Sequence, residues 1–336
     1  MKFFRKSKIT VGLDVGTHSI KTVQLLKNGS SDIRLLGLGM TEINCREDNQ
    51  FDATLLALKS ALKDCNVRRS RVVTSLGGSS TVVKQVSFPT ASAKEIASSL
   101  KWEANQHIPV PLDTVELTFQ IRKVSKGEKT SEVLLVAVNK EHLQNHISML
   151  RQVEVDPRII DVNPLALANA YLALTRNVPE KNVALLDIGA SNTTIIIFRK
   201  GGFFFTRDIS IAGNRFATEI RNAYHLENAQ AELFKKEQRI DIALFKTTLQ
   251  QLLLEIRQSL LFYDTKTGND GYEEIVLSGG GAKLSGLSTY LEQNLNLPVI
   301  KFMPLQHTKV VEALSMHEAE SMELHMGVAM GLALRG

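Results

Sequence analysis

Several features that would assign this sequence to a specialised class of protein are missing. Its two cysteines, Cys45 and Cys65, lack the spacing of a metal site and are typical of a reducing compartment. No run approaches the roughly 18 apolar residues of a membrane-spanning helix. The basic start MKFFRKSK is not followed by the apolar core of a signal peptide, because Gly12, Asp14 and His18 interrupt it. We therefore expect a cytoplasmic protein, or one bound to a membrane only from its surface.

The sequence also lacks the strong charge and the aromatic residues of most nucleic-acid-binding proteins. The net charge is only +5, the basic residues are scattered, and aromatic residues make up 6% of the chain. A nucleic-acid interface usually shows a stripe of Lys and Arg with stacking aromatics, so we expect no nucleic-acid partner. The 43% hydrophobic and 22% charged content is ordinary for a globular protein, and 336 residues suffice for two or more compact units.

A turn motif that occurs twice is the most informative feature present. VGLDVGTHSIKTVQL covers residues 11–25, and ALLDIGASNTTIII covers residues 184–197, about half the chain further on. In each copy an aspartate stands in an apolar strand, a glycine follows two residues later, and a polar turn leads into a second strand. The repeat predicts a twofold α/β architecture with a cleft between the halves.

Each of these turns has the composition of a phosphate-binding loop. Glycine leaves backbone N–H groups accessible, and the small polar residues add hydroxyl groups. An aspartate cannot itself hold phosphate, but it can hold a divalent cation through water, and the cation then neutralises phosphate charge. Two facing turns would clamp a polyphosphate, with Asp14 and Asp187 at the floor of the cleft. Two unrelated hairpins with capping aspartates are the alternative, and the repeat argues against them.

A third glycine motif lies in VLSGGGAKLSGL, residues 276–287. A predicted strand leads into Gly279, Gly280 and Gly281 and then into a helix. A backbone without side chains would admit a flat ring or a sugar close to the chain. On its own, the motif is equally well explained as a glycine-rich turn between a strand and a helix.

The pattern of apolar residues divides the chain into two similar halves, the first of which is interrupted by a smaller block. That block reads as strand 82–88, helix 92–107, strand 115–124, strand 132–138 and helix 140–152. The expected units are 1–81 (start of the first domain), 82–156 (inserted subdomain), 157–180 (return to the first domain and linker), 181–325 (second domain, helical over about 213–270) and 326–336 (C-terminal helix packing back on the first domain).

The order of the motifs resembles that of the actin, sugar kinase and heat-shock-chaperone ATPase superfamily. Within it, the chain resembles the PilM family of actin-like type IV pilus assembly proteins, which are relatives of the division protein FtsA. The resemblance extends over nearly the whole chain, and WEANQHIP and SLLFYD are its most specific segments. It implies an actin-like ATPase fold, with two duplicated α/β domains around a nucleotide cleft and a small subdomain inserted in the first.

The resemblance implies a binding site for ATP and Mg²⁺. Asp14 and Asp187 would hold Mg²⁺ through water. The implied nucleotide contacts are Gly16, Thr17, His18, Ser19 and Lys21 in the first turn; Gly189, Ala190, Ser191 and Asn192 in the second; Gly213 and Asn214 at the start of a helix that faces the phosphates; Glu232 and Lys235 at the ribose; and Gly279, Gly280 and Gly281 at the adenosine.

One position departs from the pattern of the hydrolysing relatives. Several of them carry Glu or Gln before a proline-led helix to orient the attacking water, whereas this sequence has Asn163 before Pro164. An amide on a shorter stem cannot act as a base. The sequence therefore predicts ATP binding with slow or no hydrolysis, and it assigns no catalytic residue.

The inserted block carries no nucleotide motif, so we expect it to be a partner-binding surface. By resemblance, the partner is the cytoplasmic N-terminal peptide of a PilN-type membrane protein, which would hold the chain at the inner membrane. Pilus motor ATPases and further copies of the chain are candidate partners. Trp102 either packs under the inserted sheet or borders the partner groove. The cations of MKFFRKSK, at about 1 kcal/mol each, are too few for stable anchoring alone.

Alternative functions stay open at this level. An FtsA-like division protein usually ends in a linker and an amphipathic membrane helix, whereas this sequence ends at Gly336, directly after MGLALR. A related secretion-system platform protein would share the features described above. A sugar kinase would need an acidic base aimed at a substrate hydroxyl, and we find no candidate besides Asp14 and Asp187. A chaperone would need a substrate-binding domain, for which no residues remain.

Overall fold

The computed structural model describes residues 8–28, 32–44, 49–64, 71–90, 92–125, 130–175, 181–200, 202–226, 240–267, 270–310 and 320–336. Within these ranges the chain forms two large mixed sheets and one smaller antiparallel sheet. None of the helices in these ranges has both the length and the hydropathy needed to cross a bilayer.

The first sheet has six strands. Their order across the sheet is β14 (Lys309–Val310), β3 (Asp32–Glu42), β2 (Ser19–Asn28), β1 (Lys8–Val15), β4 (Val72–Leu76) and β8 (Ile159–Val162). Strands β1, β2 and β3 form an antiparallel meander, while β4 runs parallel to β1 and β8 parallel to β4. Apolar side chains alternate along β1, so Val11 and Leu13 point to one face and Gly12 to the other.

The second sheet repeats this pattern with five strands. Their order is β11 (Gly202–Ile209), β10 (Thr193–Arg199), β9 (Val183–Ile188), β12 (Glu274–Ser278) and β13 (Val299–Lys301). Strands β9, β10 and β11 form the antiparallel meander, and β12 runs parallel to β9 as β4 does to β1. The sequence repeat is therefore also a repeat of topology.

Helices cover both faces of the two large sheets. They are α1 (Gln50–Asp64), α3 (Lys140–Gln152), α4 (Asn163–Leu174), α5 (Gly213–Tyr224), α6 (Lys246–Thr267), α7 (Leu287–Leu295) and α8 (Gly327–Arg335). Helices α5, α6 and α7 pack on one face of the second sheet. Helix α4 lies in the core shared by both sheets, where the Tyr171 ring contacts Phe198 and Phe302 at centroid distances of 5.1 and 5.5 Å.

The inserted sheet consists of β5 (Thr81–Phe88), β7 (Thr130–Asn139) and β6 (Val115–Ser125), in that order, and carries helix α2 (Ala93–His107). One face packs on α2 through side chains such as Phe88 and Leu135, which meet Ile96. The other face contributes Val83 and Leu134 to the core that the two large sheets share. The inserted sheet is thus sandwiched between α2 and the body of the protein.

Helix α3 packs differently from the sequence-based expectation, which placed it in the inserted block. Its Leu150, and Val153 directly after it, pack with Val11 and Leu13 of β1 and with the apolar side of α1. Helix α3 therefore covers the first sheet, and α2 is the only α-helix of the described ranges in the core of the inserted sheet. Periodicity shows that a helix has an apolar face, but only the tertiary contacts determine which sheet that face covers.

The C-terminal helix α8 is buried between β1 and α4, where glycines permit very close approach. A Cβ atom at Gly12 would lie 1.9 Å from the carbonyl oxygen of Ala329, and one at Gly331 would lie 1.7 Å from that of Ala166. At the end of the helix, Arg335 Nε lies 3.0 Å from a carboxylate oxygen of Asp161. The last residues of the chain are thereby packed on the first sheet.

Candidate functional site

A cavity of about 990 Å³ lies between the two large sheets, and both repeated turns line it. Nearly all of the residues singled out in the sequence lie in its wall, from both halves of the chain. They are Asp14, Gly16, Thr17, His18, Ser19, Lys21, Asn163, Asp187, Gly189, Ala190, Ser191, Asn192, Gly213, Asn214, Gly279, Gly280 and Gly281. Glu232 and Lys235, predicted at the ribose, lie outside the described residues.

The two turns close with the same geometry. The N–H of Gly16 donates to the carbonyl of Ser19 at 3.1 Å, and the N–H of Gly189 donates to the carbonyl of Asn192 at 3.0 Å. A Cβ atom at either glycine would lie within 3.0 Å of that carbonyl oxygen, so the tight closure favours glycine at both positions. The resemblance between the two sequence motifs is thus reproduced by their backbone hydrogen bonds.

The residue that pairs with each aspartate on the neighbouring antiparallel strand differs between the halves. Asp14 pairs in register with Lys21, whose Nζ lies 3.1 Å from Asp14 Oδ2. Asp187 pairs instead with Thr194, which carries no charge. Burial, together with the negative charges of Asp14 and Asp208, raises the pKa of Asp187 to about 6, against the opposing effects of a hydrogen bond from Ser278 and the charge of Lys21. The second half thus holds negative charge without a paired cation across the strand.

The two turns also meet each other across the cavity. Thr17 Oγ1 and Ser191 Oγ lie 3.3 Å apart, within hydrogen-bonding distance, although the two residues belong to different halves of the chain. The two halves of the chain are therefore in contact at the mouths of the repeated turns.

Helix α5 begins at Gly213, but its first N–H groups are engaged by the second turn. Gly213 N–H donates to the carbonyl of Gly189 at 3.0 Å, and Asn214 N–H donates to that of Ala190 at 2.8 Å. Both residues line the cavity, so the expectation that the start of α5 faces a phosphate stays a prediction, while these two N–H groups support the turn. In the structure they hold the second turn in place.

The glycines of the third motif are required by packing against protein atoms. Gly279 has a φ of +85°, and a Cβ atom there would lie 2.4 Å from the carbonyl oxygen of Ile188. A Cβ atom at Gly281 would lie 2.3 Å from the Ile188 side chain, and one at Gly280 would lie 2.5 Å from the His325 ring. These glycines let β9 and His325 approach closely, and all three also line the cavity, so their expected place beside an adenosine stays a prediction.

Asn163 is held firmly in the cavity wall at the start of α4. Its Oδ1 accepts a hydrogen bond of 2.6 Å from Ser75 Oγ. A Cβ atom at Gly77 would lie 2.4 Å from its Nδ2, so the amide fits against a glycine that leads toward the inserted sheet. Pro164 occupies the first turn of the helix, where its missing N–H costs nothing.

Sequence reasoning missed several residues that line the cavity, among them His142, Thr194, Asp208, Lys283 and His325. Thr194 could have been found, because it stands at the same offset from Asp187 as Lys21 does from Asp14. Asp208 offered a weaker signal, as a carboxylate near the end of β11 shortly before the AGN start of α5.

The fold and the cavity together define an actin-like protein of the superfamily that includes many ATPases, with two duplicated α/β units around a cleft and an insertion in the first. A family model described as "Type IV pilus assembly protein PilM" matches residues 12–336, and the chain belongs to this family. This confirms the resemblance inferred from the sequence motifs.

Solved structures support the same fold. The chain superposes on a structure described as "PilM-PilN type IV pilus biogenesis complex" with a TM-score of 0.86 and 25% identity, covering 97% of this chain and 98% of that one. It also matches the ethanolamine utilization protein EutJ from Carboxydothermus hydrogenoformans with a TM-score of 0.58 and 13% identity, covering 98% and 90% of the two chains. The predicted actin-like fold is therefore confirmed.

Two FtsA cell-division proteins are also similar to the chain. The chain is 29% identical to FtsA of Pseudomonas aeruginosa over 201 residues, which span 51% of this chain and 47% of that protein. It thus matches about half the length of that relative. The alignment with FtsA of Borreliella burgdorferi is 21% identical and spans 97% of this chain and 90% of that one.

Proposed function

We propose that this PilM-family chain binds ATP together with Mg²⁺ in the cavity between its two sheets. The observation that carries the proposal is the duplicated geometry, in which two identically closed turns, each preceded by an aspartate, line one cavity. A cavity of about 990 Å³ is of a size that holds a small-molecule ligand. The two turns would grip the phosphates through backbone N–H groups and hydroxyls, and Lys21 would add a positive charge.

The donor atoms in the cavity suit Mg²⁺, which prefers oxygen ligands and retains several waters. In the described part of the chain no three His, Cys, Asp or Glu side chains are arranged to hold a metal by themselves. Asp14 and Asp187 would therefore hold Mg²⁺ jointly with phosphate oxygens and water. Burial, and after it the negative charge of Asp14, raises the pKa of Asp187, and a bound cation would offset both effects. When bound, the ion supplies neutralisation of the phosphate charge.

Calorimetric titration with MgATP tests this proposal. We expect Asp187→Ala to weaken MgATP binding by at least about tenfold, because it removes a carboxylate that would orient the ion. Asp270→Ala is the matched control, since Asp270 pairs with Arg199 at the surface and does not line the cavity. Equal affinities of wild type and Asp187→Ala would remove Asp187 from the site.

We further infer that the inserted subdomain binds the cytoplasmic N-terminal peptide of a PilN-type membrane protein. The support is the similarity to a solved PilM–PilN complex and the separate core between the inserted sheet and α2, whose described residues do not line the cavity. Trp102 on α2 is 70% exposed, so it does not pack under the sheet and remains available to a partner. An extended peptide can dock in a groove or along a sheet edge through backbone hydrogen bonds. Such a partner would hold the chain at the inner membrane.

Removal of the inserted sheet tests the partner assignment. Thr81 and Val138 are paired across β5 and β7, so a short turn can join them after deletion of residues 82–137, and α3 is retained. We expect the shortened protein to bind MgATP, which shows that it is folded, and to lose binding of the PilN-type peptide in fluorescence anisotropy. Peptide binding of normal affinity by the shortened protein would show that the peptide binds elsewhere.

A further inference from the structure

A row of four polar side chains crosses the second sheet at the edge of the cavity. The strand registers pair Ser278 with Asp187, Asp187 with Thr194, and Thr194 with Asp208. Residues directly opposite each other on neighbouring strands share a face of the sheet, so the four side chains lie side by side. Asp187, Thr194 and Asp208 line the cavity, and Ser278 is fully buried behind them.

The hydrogen bonds in this row have a defined direction. An ionised carboxylate can only accept, so Thr194 Oγ1 donates its proton to Asp208 Oδ1 at 2.6 Å, and Ser278 likewise donates to Asp187. Thr194 Oγ1 also accepts a bond of 3.2 Å from Asn192 Nδ2. Because a hydroxyl has one proton and two lone pairs, Thr194 has one lone pair left and can offer a ligand only an acceptor.

Asp208 likewise has an acceptor available. Its hydrogen bonds within the described part of the chain, from Thr194 and from Asn192 at 3.4 Å, both reach Oδ1. Oδ2 makes no hydrogen bond there, and the residue is exposed in the cavity wall. The row therefore presents acceptors from three neighbouring strands.

The corresponding row of the first half is built differently. Asp14 on β1 pairs with Lys21 on β2, and Lys21 pairs in turn with the apolar Met40 on β3. The second half has Thr194 and Asp208 at the matching places. One carboxylate is therefore paired with an ammonium group in the first row, whereas the second row has two carboxylates separated by a hydroxyl. The second row is the side of the cavity that attracts a cation.

We propose that Asp208 is a positioning residue for the hydrated cation of the nucleotide site, acting through Thr194 and through its own Oδ2. The proposal rests on the MgATP binding proposed above. Water bound to a divalent cation is a strong hydrogen-bond donor, so it requires acceptors, and Asp208 fixes Thr194 as one. A carboxylate repels phosphate oxygens, so Asp208 serves the metal and not the nucleotide directly. Its contribution should appear only when the cation is present.

Calorimetric measurement of ATP affinity, once with Mg²⁺ and once with excess EDTA, separates an effect of Asp208 on the cation from an effect on the nucleotide itself. In wild type we expect Mg²⁺ to strengthen ATP binding. We expect Asp208→Asn to reduce that Mg²⁺-dependent gain by about tenfold, in line with the loss of other residues that orient metal ligands. Affinity for metal-free ATP should be unchanged or higher, because a negative charge is removed. Thr194→Val should behave as Asp208→Asn does, and Thr194→Ser, which keeps the hydroxyl, should retain the gain.

Asp270→Asn provides the control for the change in charge, since it lies in the same half of the chain and outside the cavity wall. An equal loss of affinity with and without Mg²⁺ in Asp208→Asn would mean a purely structural role and would overturn the inference. An unchanged Mg²⁺-dependent gain in both Asp208→Asn and Thr194→Val would overturn it as well. Wild-type protein that binds neither ATP nor MgATP would overturn the proposed function itself, and this inference with it.

Discussion

A buried histidine close to Asp14 is expected to make the stability of the protein sensitive to acid. His146 on α3 is 8% exposed, and its Nε2 lies 3.0 Å from Thr74 Oγ1 on β4. Burial lowers the pKa of His146 from 6.5 to about 4, and the negative charge of Asp14 opposes that shift. The folded protein therefore keeps this imidazole neutral over a pH range in which the unfolded chain protonates it.

The sign and size of the effect follow from these two pKa values. Between pH 6.5 and about 4 the unfolded state binds the additional proton, so acid favours unfolding. The stabilising contribution is fully present above about pH 6.5 and is lost as the pH falls toward 4. A gap of about 2.5 between the two pKa values lowers the free energy of unfolding by about 3 kcal/mol once the pH is below both. At pH 5 the decrease is about 2 kcal/mol.

Urea unfolding between about pH 4.5 and 7.5, without Mg²⁺ or ATP, measures this contribution. The variant His146→Gln retains a polar partner for Thr74. Between pH 7 and pH 5 its free energy of unfolding should fall by about 2 kcal/mol less than that of wild type. His142→Gln is the matched control, one helical turn away on α3 and exposed, and should follow the wild-type profile. Parallel pH profiles for wild type and His146→Gln would refute the reasoning, because His146 would then titrate alike in both states.

Further expectations concern turnover, partner binding and packing. Because Asn163 stands where several hydrolysing relatives carry a longer Glu or Gln that orients water, purified protein should release phosphate from ATP at well below about 1 s⁻¹; brisk release would contradict this expectation. If the peptide docks beside α2, binding of the PilN-type peptide should shift the emission of Trp102, the only tryptophan, to shorter wavelength; unchanged emission at saturation would place the peptide elsewhere. Gly331→Ala should destabilise the protein by at least about 2 kcal/mol, because its Cβ would overlap the backbone of Ala166; Gly202→Ala, with its nearest contact at 3.6 Å, is the thermal-unfolding control.

The local elements and the twofold plan of the protein were determined by the sequence alone. Alternating apolar residues around Asp14 and Asp187 specify strand, turn and strand, because the period of side chains along a strand is local. Pro164 similarly marks the first turn of α4, which runs from Asn163 to Leu174. The family resemblance also followed from short motifs; the two repeated turns line the cavity, whereas WEANQHIP lies at the end of α2 and SLLFYD lies within α6.

Contacts between distant segments were decided only by the tertiary structure. The sequence cannot show that α3 covers the first sheet, because both sheets would accept an apolar helix face. The sequence also cannot show how closely β9 and His325 approach the glycines at 279–281, because these neighbours lie far away along the chain. The alignment of Thr194 and Asp208 depends on the register of β10 against β11, and a shift by one residue would turn the side chains of one strand to opposite faces. The row of four polar side chains across the second sheet therefore exists only in the folded protein, because strand pairing brings its members together from four separate strands.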